Sequence, residues 1–175
     1  MDLKPVILQG QSVRLEPLEL TRHWPGLLAI GLDPDLWRWT SSKIGSEADL
    51  RRYLERAVAE QVGGVSLPFV TVLAESGEVV GCTRFGNIVR EHKRAEIGWT
   101  WVARTHQRTI VNTEAKYMML RHAFEVWGLM RVELKTSATN LRSQNAMRRL
   151  GLTAEGTFRK WMFNEDGTPR DTMWF

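Results

Sequence analysis

The sequence is poor in the residues that staple or metallate small proteins. It has one cysteine, Cys82, so neither an internal disulfide nor a thiolate metal site is expected. The histidines, at 23, 92, 106 and 122, share no motif with metal-ligand spacing, and no metal is expected. No apolar run approaches the ~18 residues of a membrane span. The opening MDLKPVILQGQ lacks the apolar core of a secretory signal. A cytoplasmic protein without membrane contact is the expectation. There is no Gly-Lys-Ser/Thr of a phosphate-binding P-loop and no Gly-x-Ser-x-Gly nucleophile elbow. Charge of one sign is scarce as well, because 24 basic and 20 acidic residues leave only +4. Basic and acidic residues alternate, which argues against a nucleic-acid face, while the mild basic excess suits an anionic ligand.

What is present reads as one compact unit. The 175 residues are 43% hydrophobic and 25% charged, the balance of a single globular domain able to bury a large core. No repeat, low-complexity tract or linker interrupts them. Eight tryptophans are the unusual count.

Periodicity gives a mixed α/β order of β, α, α, β, β, β, α, β, α, β, β. Val13 and Leu15 alternate with polar neighbours in an opening strand, Ser12–Glu16. Leu20–Leu32 has helical spacing broken by Pro25 and Gly26, and Asp33-Pro34 reads as a turn. Ser46 caps a helix carrying Leu50, Tyr53, Leu54, Ala57 and Val58, which stops at Gly63-Gly64. Strands follow at Phe69–Leu73, Val79–Phe85 and Ala95–Val102. In the last, Ile97, Trp99 and Trp101 share one face. Thr113–Trp127 is the longest helix. It is so apolar outside the stripe of Glu114, Tyr117, Arg121 and Glu125 that it should pack on more than one side. A strand at Arg131–Thr136, a helix at Asn140–Leu150, a strand at Thr153–Phe163, a hairpin turn at Asn164 to Gly167 and a last strand from Arg170 complete the chain. Hairpin-linked strands followed by a strand–helix–strand crossover predict one mixed sheet with helices on both faces.

Two segments carry candidate chemistry. The loop between Val102 and the Thr113 helix aims unpaired backbone N–H groups at one spot, an anion site to which Arg104, His106 and Arg108 add charge. A loop that binds nothing, with solvated cations, is the alternative. In RVELKTSATNLRSQNAMRRLG, Asn140 sits before a helix with Ser143 one turn in, a pattern that an ordinary N-cap and helix-start serine also explain. Cys82 reads as a buried inert thiol and His122 as packing.

Together these segments resemble the GCN5-related N-acetyltransferase family, and within it the RimJ/RimL type of ribosomal-protein N-terminal acetyltransferases. The resemblance runs through VRLEPL, ESGEVVGCTRFGNI, EIGWTWV, NTEAKYMMLRHAFE, RVELKTSATNLRSQNAMRRLG, EGTFRK and GTPRDTMWF. It implies a mixed, mostly antiparallel sheet whose fourth and fifth strands splay apart to hold acetyl-CoA. By resemblance, Trp101 and Val102 pair with the pantetheine, and Gln107, Arg108, Thr109, Ile110, Val111 and Asn112 cradle the pyrophosphate. The family has glycine at the fourth cradle position and Gly or Ala at the sixth, where this chain has Ile110 and Asn112. The related chains usually continue past TMWF, so a chain shortened within its last strand, its sheet edge open or completed by a partner, is also expected.

The resemblance further implies direct attack of an amine on the thioester, without an acyl-enzyme. A backbone N–H of Trp101 or Val102 polarises the carbonyl. Glu96 is the candidate base, with a carboxylate salt-bridged to Arg84 or Arg94 as the alternative. Many members use a helix tyrosine to protonate the leaving thiolate, but Met147 stands there. Asn140-Leu141-Arg142-Ser143 matches the RimJ/RimL pattern instead, making Ser143 the candidate donor and Asn140 an ordering residue. The acceptor, a protein N-terminus or a small-molecule amine, is expected near Trp37, Trp39, Trp161 and Asp171, although Arg170-Asp171 also reads as a strand-edge ion pair. A homodimer is a further expectation. Ile110, Asn112 and Met147 favour the competing reading, a non-catalytic acyl-CoA-binding module of the same fold.

Overall fold

A computed structural model describes residues 2–164 and 166–175, so Glu165 of the expected hairpin turn lies outside the described residues. The strands form where apolar and polar residues alternate. A two-residue strand, β1 (Leu8–Gln9), precedes β2 (Val13–Pro17), and β3 (Leu67–Leu73), β4 (Val79–Val89) and β5 (Arg94–Val102) follow. The fourth strand expected from the sequence is therefore β5. These strands are antiparallel neighbours in chain order, and β6 (Arg131–Glu133) then joins β5 in parallel. A second sheet has the order β7-β9-β8, with β7 Lys135–Ser137, β8 Gly156–Phe163 and β9 Pro169–Trp174. The expected single strand over Arg131–Thr136 thus breaks at Leu134. The last strand lies between two partners, which corrects the expectation of an open edge there.

Three helices cover one face. Helix α1 (Leu20–Gly31) is continuous through Pro25, where a break was expected. At Gly26 an added Cβ would lie 2.7 Å from Val79 Cβ, so glycine permits this close approach to β4. Asp33-Pro34 starts a short helix, α2 (Pro34–Trp37), instead of a turn. Asp33 caps it, accepting from Asp35 N, and proline suits the first helical position because its missing N–H would be unpaired anyway. In α3 (Glu47–Val62), the Ser46 hydroxyl accepts from Asp49 N and donates to Asp49 Oδ2. Its inward Leu50, Leu54 and Ala57 pack with Leu27, Trp37, Val70, Val72, Cys82 and Trp101.

The opposite face carries α4 (Ile110–Arg121), which begins three residues before the expected start and passes into a π-helical turn over His122–Val126. Val111, Ala115, Met119, Ala123 and Trp127 pack against Val13, Leu15, Phe69, Phe85 and Ile97. The helix is less enclosed than its composition suggests, since Phe124 and Val126 are exposed. Helix α5 (Leu141–Arg149) adds Met147 to the same core.

Ile97 and Trp101 lie in different cores, which corrects their assignment to one face. Trp99 has φ of 51°, and the register jumps from Arg84↔Gly98 to Cys82↔Trp101. The extra residue is a β-bulge, and beyond it inside and outside exchange.

Glu114 of α4 ties this helix to the β1–β2 turn, its carboxylate accepting from the backbone N–H of Gln11, Ser12 and Val13 at 2.7, 2.8 and 2.8 Å. Glu114→Ala should lower the unfolding free energy by roughly 1–3 kcal/mol, measured by urea denaturation; an unchanged midpoint would show the clamp to be ornamental.

Candidate active site

The slot arises because β5 and β6 part. Their pairing runs Arg94↔Arg131, Ala95↔Val132 and Glu96↔Glu133, and ends there. Leu134 then exchanges both backbone bonds with Phe175, and β7 pairs with β9. The β5 edge from Ile97 to Val102 is left without a strand partner on that side. Ala103 N donates to Val80 O on β4, so by strand alternation Trp101 also turns its N–H to β4, while Val102 and Thr100 face the free edge. The Val102 carbonyl on that edge accepts from Gln107 Nε2 at 2.9 Å.

The loop to α4 meets this edge. After a 3-10 turn over Arg104–His106, Gln107 and Arg108 bend the chain, Arg108 with φ of 63°. Thr109 is the N-cap. Its hydroxyl donates to His106 O at 2.7 Å and accepts from Val111 N at 3.3 Å. Residues 110–112 thus form the first helical turn, whose N–H groups have no intrahelical acceptor. The Ile110 side chain is 54% exposed and does not pack into the core, and Asn112 is half-buried. Arg108 is exposed and forms no ion pair among the described residues. Arg104 turns away to Asp33 and Asp35, correcting its expected place at the anion site. Arg142 takes its place from α5, donating to Gln107 Oε1 at 3.0 Å.

That bond joins the two segments singled out in the sequence. Asn140 is the N-cap of α5, and its Oδ1 accepts from Ser143 N at 3.2 Å. The Ser143 hydroxyl is half-buried and has no hydrogen-bond partner among the described residues. A free strand edge, a helix N-terminus and two guanidinium groups fit the elongated anionic acetyl-CoA that the resemblance implies.

Glu96 lies at the vertex, 3% exposed, its carboxylate paired with the Lys135 ammonium and accepting from Asn87 Nδ2 at 2.6 Å. The expected partners are engaged elsewhere, Arg84 with Glu60 and Arg94 with Glu133. Beside the vertex opens a cavity of about 730 Å³. Trp99, Phe158, Trp161 and Trp174 give it aromatic walls, and the latter three rings pack with centroids 5.3 to 5.7 Å apart. Its charged lining is paired: Arg56 with Glu60, Arg94 with Glu133, and Arg131 with both Glu133 and Glu155.

Of the expected acceptor residues, only Trp161 lines this cavity. Trp37 is core, 6% exposed, against Tyr53 and Trp101. Trp39 lies under Arg38, and its carbonyl accepts from Arg170. Asp171 accepts from Lys160 N at 2.8 Å and makes no pair with Arg170. It thereby pins a second bulge, where Lys160 has φ of 51°. Sequence reasoning missed Phe158 because period-two alternation puts residues 158 and 161 on opposite faces, and that bulge brings them together.

It also missed Lys116. This α4 lysine is 4% exposed, and its Nζ donates to Thr83 Oγ1 on β4 and Thr100 Oγ1 on β5, at 3.0 and 2.5 Å. Desolvation lowers its pKa from 10.5 to about 7. Cys82, buried as expected, has its thiol pushed up by burial. Among the described residues no three His, Cys, Asp or Glu side chains gather as a metal set.

Comparison with known proteins agrees with this geometry. The acetyltransferase (GNAT) domain model matches residues 12–153. A GCN5-related N-acetyltransferase from Brucella melitensis superposes with a TM-score of 0.89 at 29% identity, covering 97% of this chain and 77% of that one. An acetyltransferase of Salmonella typhimurium that modifies the N-terminal serine of ribosomal protein L7/L12 shares the fold, with a TM-score of 0.84, 19% identity and coverage of 97% and 96%. The uncharacterized N-acetyltransferase YoaA of Bacillus subtilis (strain 168) is 29% identical over 98 residues, 56% of this chain and 54% of that protein. The chain thus matches about half the length of this curated relative.

Lys116 makes a prediction about stability. Its folded pKa lies below its unfolded one, so between about pH 7 and 10 the unfolded chain binds the extra proton and stability rises with pH. Lys116→Met should remove this slope. Melting curves of both proteins at pH 7 and 10 should show the wild type gaining on the variant, and a constant gap would refute it.

Proposed function

The chain belongs to the acetyltransferase (GNAT) family and is an acyltransferase, and on that premise we propose that it transfers acetyl from acetyl-CoA to a primary amine by direct attack in a ternary complex. The observation that carries this reading is the free β5 edge beside the N-terminus of α4. In it, Val102 N–H meets the thioester carbonyl, and residues Gln107 to Asn112 with Arg142 hold the pyrophosphate. Bound acetyl-CoA supplies the activated acyl group. Ser143, oriented by its Asn140-capped backbone, donates a hydrogen bond to the sulfur as the C–S bond breaks and CoA leaves as the thiolate. The amine needs little help, because an α-amino group titrates near ~8. Glu96 receives its proton, directly or through water, at the vertex where slot and cavity adjoin.

The aromatic cavity is the acceptor site in this reading. Its paired charges present no net field, so it suits the uncharged, apolar side of an amine or the first residues of a peptide. We favour a protein N-terminal α-amine, in line with the Salmonella neighbour and the RimJ/RimL resemblance, in the cytoplasm, where a buried unpaired thiol such as Cys82 is ordinary.

Thiol release from acetyl-CoA against a panel of small amines and N-terminal peptides tests the proposal. Turnover is expected with a member of the panel. Binding without turnover on any would favour an acyl-CoA-binding module, and absence of binding would overturn the reading. Ser143→Ala should lower turnover roughly 10- to 100-fold while acetyl-CoA affinity, measured by calorimetry, holds; an unchanged rate removes Ser143 from the mechanism.

A further inference from the structure

A lysine sealed inside a helix–sheet interface without a carboxylate is costly, and a methionine of similar volume would be the stable choice. Lys116 occupies such a place, and its two partners are not arbitrary. Thr83 and Thr100 flank the β5 bulge on neighbouring strands, with their hydroxyls 2.8 Å apart. Both reach Gly98 O, at 3.5 and 3.3 Å, the carbonyl at the point where the bulge interrupts the ladder. Thr100 is the residue immediately after the bulge, and its main chain lies on the free edge with that of Val102.

We propose that Lys116 is a positioning residue for acetyl transfer: by clamping Thr83 and Thr100 it holds the β5 bulge that sets the free-edge N–H groups of Thr100 and Val102 along the slot. This rests on the acetyl-transfer reading above.

The contacts support the clamp. Each hydroxyl oxygen accepts an N–H of the amine, and the hydroxyl hydrogens are shared among each other, Gly98 O and Met119 Sδ, which lies 3.6 Å from Thr83 Oγ1. A protonated amine brings a charge that forms no ion pair among the described residues. The charged groups nearby face elsewhere. On β4, Arg84 turns to Glu60 on the far face, and Cys82 lies in the other core. On β5, Glu96 turns to Lys135. On α4, Glu114 is spent on residues 11–13 and Tyr117 is exposed, while His122 beyond it stacks on Phe85 and Trp127. On β2, Arg14 and Glu16 pair with each other. Desolvation therefore lowers the pKa of Lys116 to about 7, and its bonds to the two threonine hydroxyls change as the amine gains a proton and a charge.

The test reads positions as well as rates. In the ligand-free protein, the ¹H–¹⁵N amide signals of Thr100 and Val102 should move with a midpoint near pH 7, and Lys116→Met should abolish that inflection. With [1-¹³C]acetyl-CoA bound, the carbonyl shift should follow the same midpoint in the wild type, and in Lys116→Met stay displaced toward that of free acetyl-CoA. Amides that do not titrate, or that titrate alike in both proteins, overturn the proposal. If Lys116→Met fails to fold, Thr100→Val cuts the clamp and leaves the amine in place. It should displace the Val102 amide and the acetyl carbonyl signal, and unmoved signals overturn the proposal equally. A wild type that binds no acetyl-CoA refutes the acetyl-transfer reading instead, with the ligand-free titration still deciding whether the clamp exists.

Discussion

The structure turns on one change of partner. The segment from Arg131 to Ser137 pairs with β5 for three residues and with β9 thereafter. A strand edge can satisfy only one neighbour, so what Leu134 gives to Phe175 it withholds from β5. Both Leu134 and Phe175 are buried, and each such side chain contributes about 1.5–3 kcal/mol to the folded state. Two sets of ion pairs, Glu96 with Lys135 and Glu133 with Arg94 and Arg131, sit at the point of divergence and fix where it happens. Backbone polar groups are seldom left unpaired. An exposed row of them inside the molecule is a binding edge that the fold maintains at a cost.

Two strained residues shape the surfaces on either side of that edge. Trp99 and Lys160 both take positive φ without being glycine, a conformation that costs on the order of 1–3 kcal/mol where it is not relieved locally. Each is held from outside its own strand. The Trp99 ring stacks under the Arg84 guanidinium at 4.2 Å, and it lies so close to β4 that a Cβ at Gly86 would come within 2.5 Å of it. Lys160 is held by Asp171. The first bulge turns Trp101 into the α1–α3 core and leaves Trp99 facing the cavity. The second brings Phe158 and Trp161 to the same wall. A regular pleat would have scattered these aromatics over both faces.

The elements that depend on local pattern were legible in the sequence. Alternation located β2 to β5 within a few residues, and Ser46 and Asn140 read as caps and are caps. What escaped is non-local. Nothing within Arg131–Thr136 announces that Leu134 will prefer Phe175, some forty positions away, to continued pairing with β5. The residues with positive φ in the two bulges, Trp99 and Lys160, are not glycines, although Gly98 precedes the first. Lys116 escaped for a different reason: it lies outside the polar stripe of its helix, and only the sheet packed over it shows that its ammonium is buried. The tryptophans divide in the same way. Trp37 and Trp101 are core, as packing predicts for any large aromatic, whereas Trp99, Trp161 and Trp174 meet at a cavity through bulges and a strand order that no window of sequence contains.

Charge is divided across the split, and the division bears on how two substrates would be told apart. On the α4 side, Arg108, Arg142 and a helix N-terminus gather positive potential with no carboxylate paired to Arg108 or Arg142 among the described residues. On the cavity side, every cation named is matched by Glu60, Glu133 or Glu155. Within a modest net charge of +4, unpaired cations thus stand on the α4 side, while those lining the cavity are paired. The α4 side offers an anion unpaired guanidinium groups, whereas the cavity offers indole and phenyl rings among ion-paired charges. The same strand edge that separates the two sides is where they meet, so the order imposed on β5 by its bulge governs both.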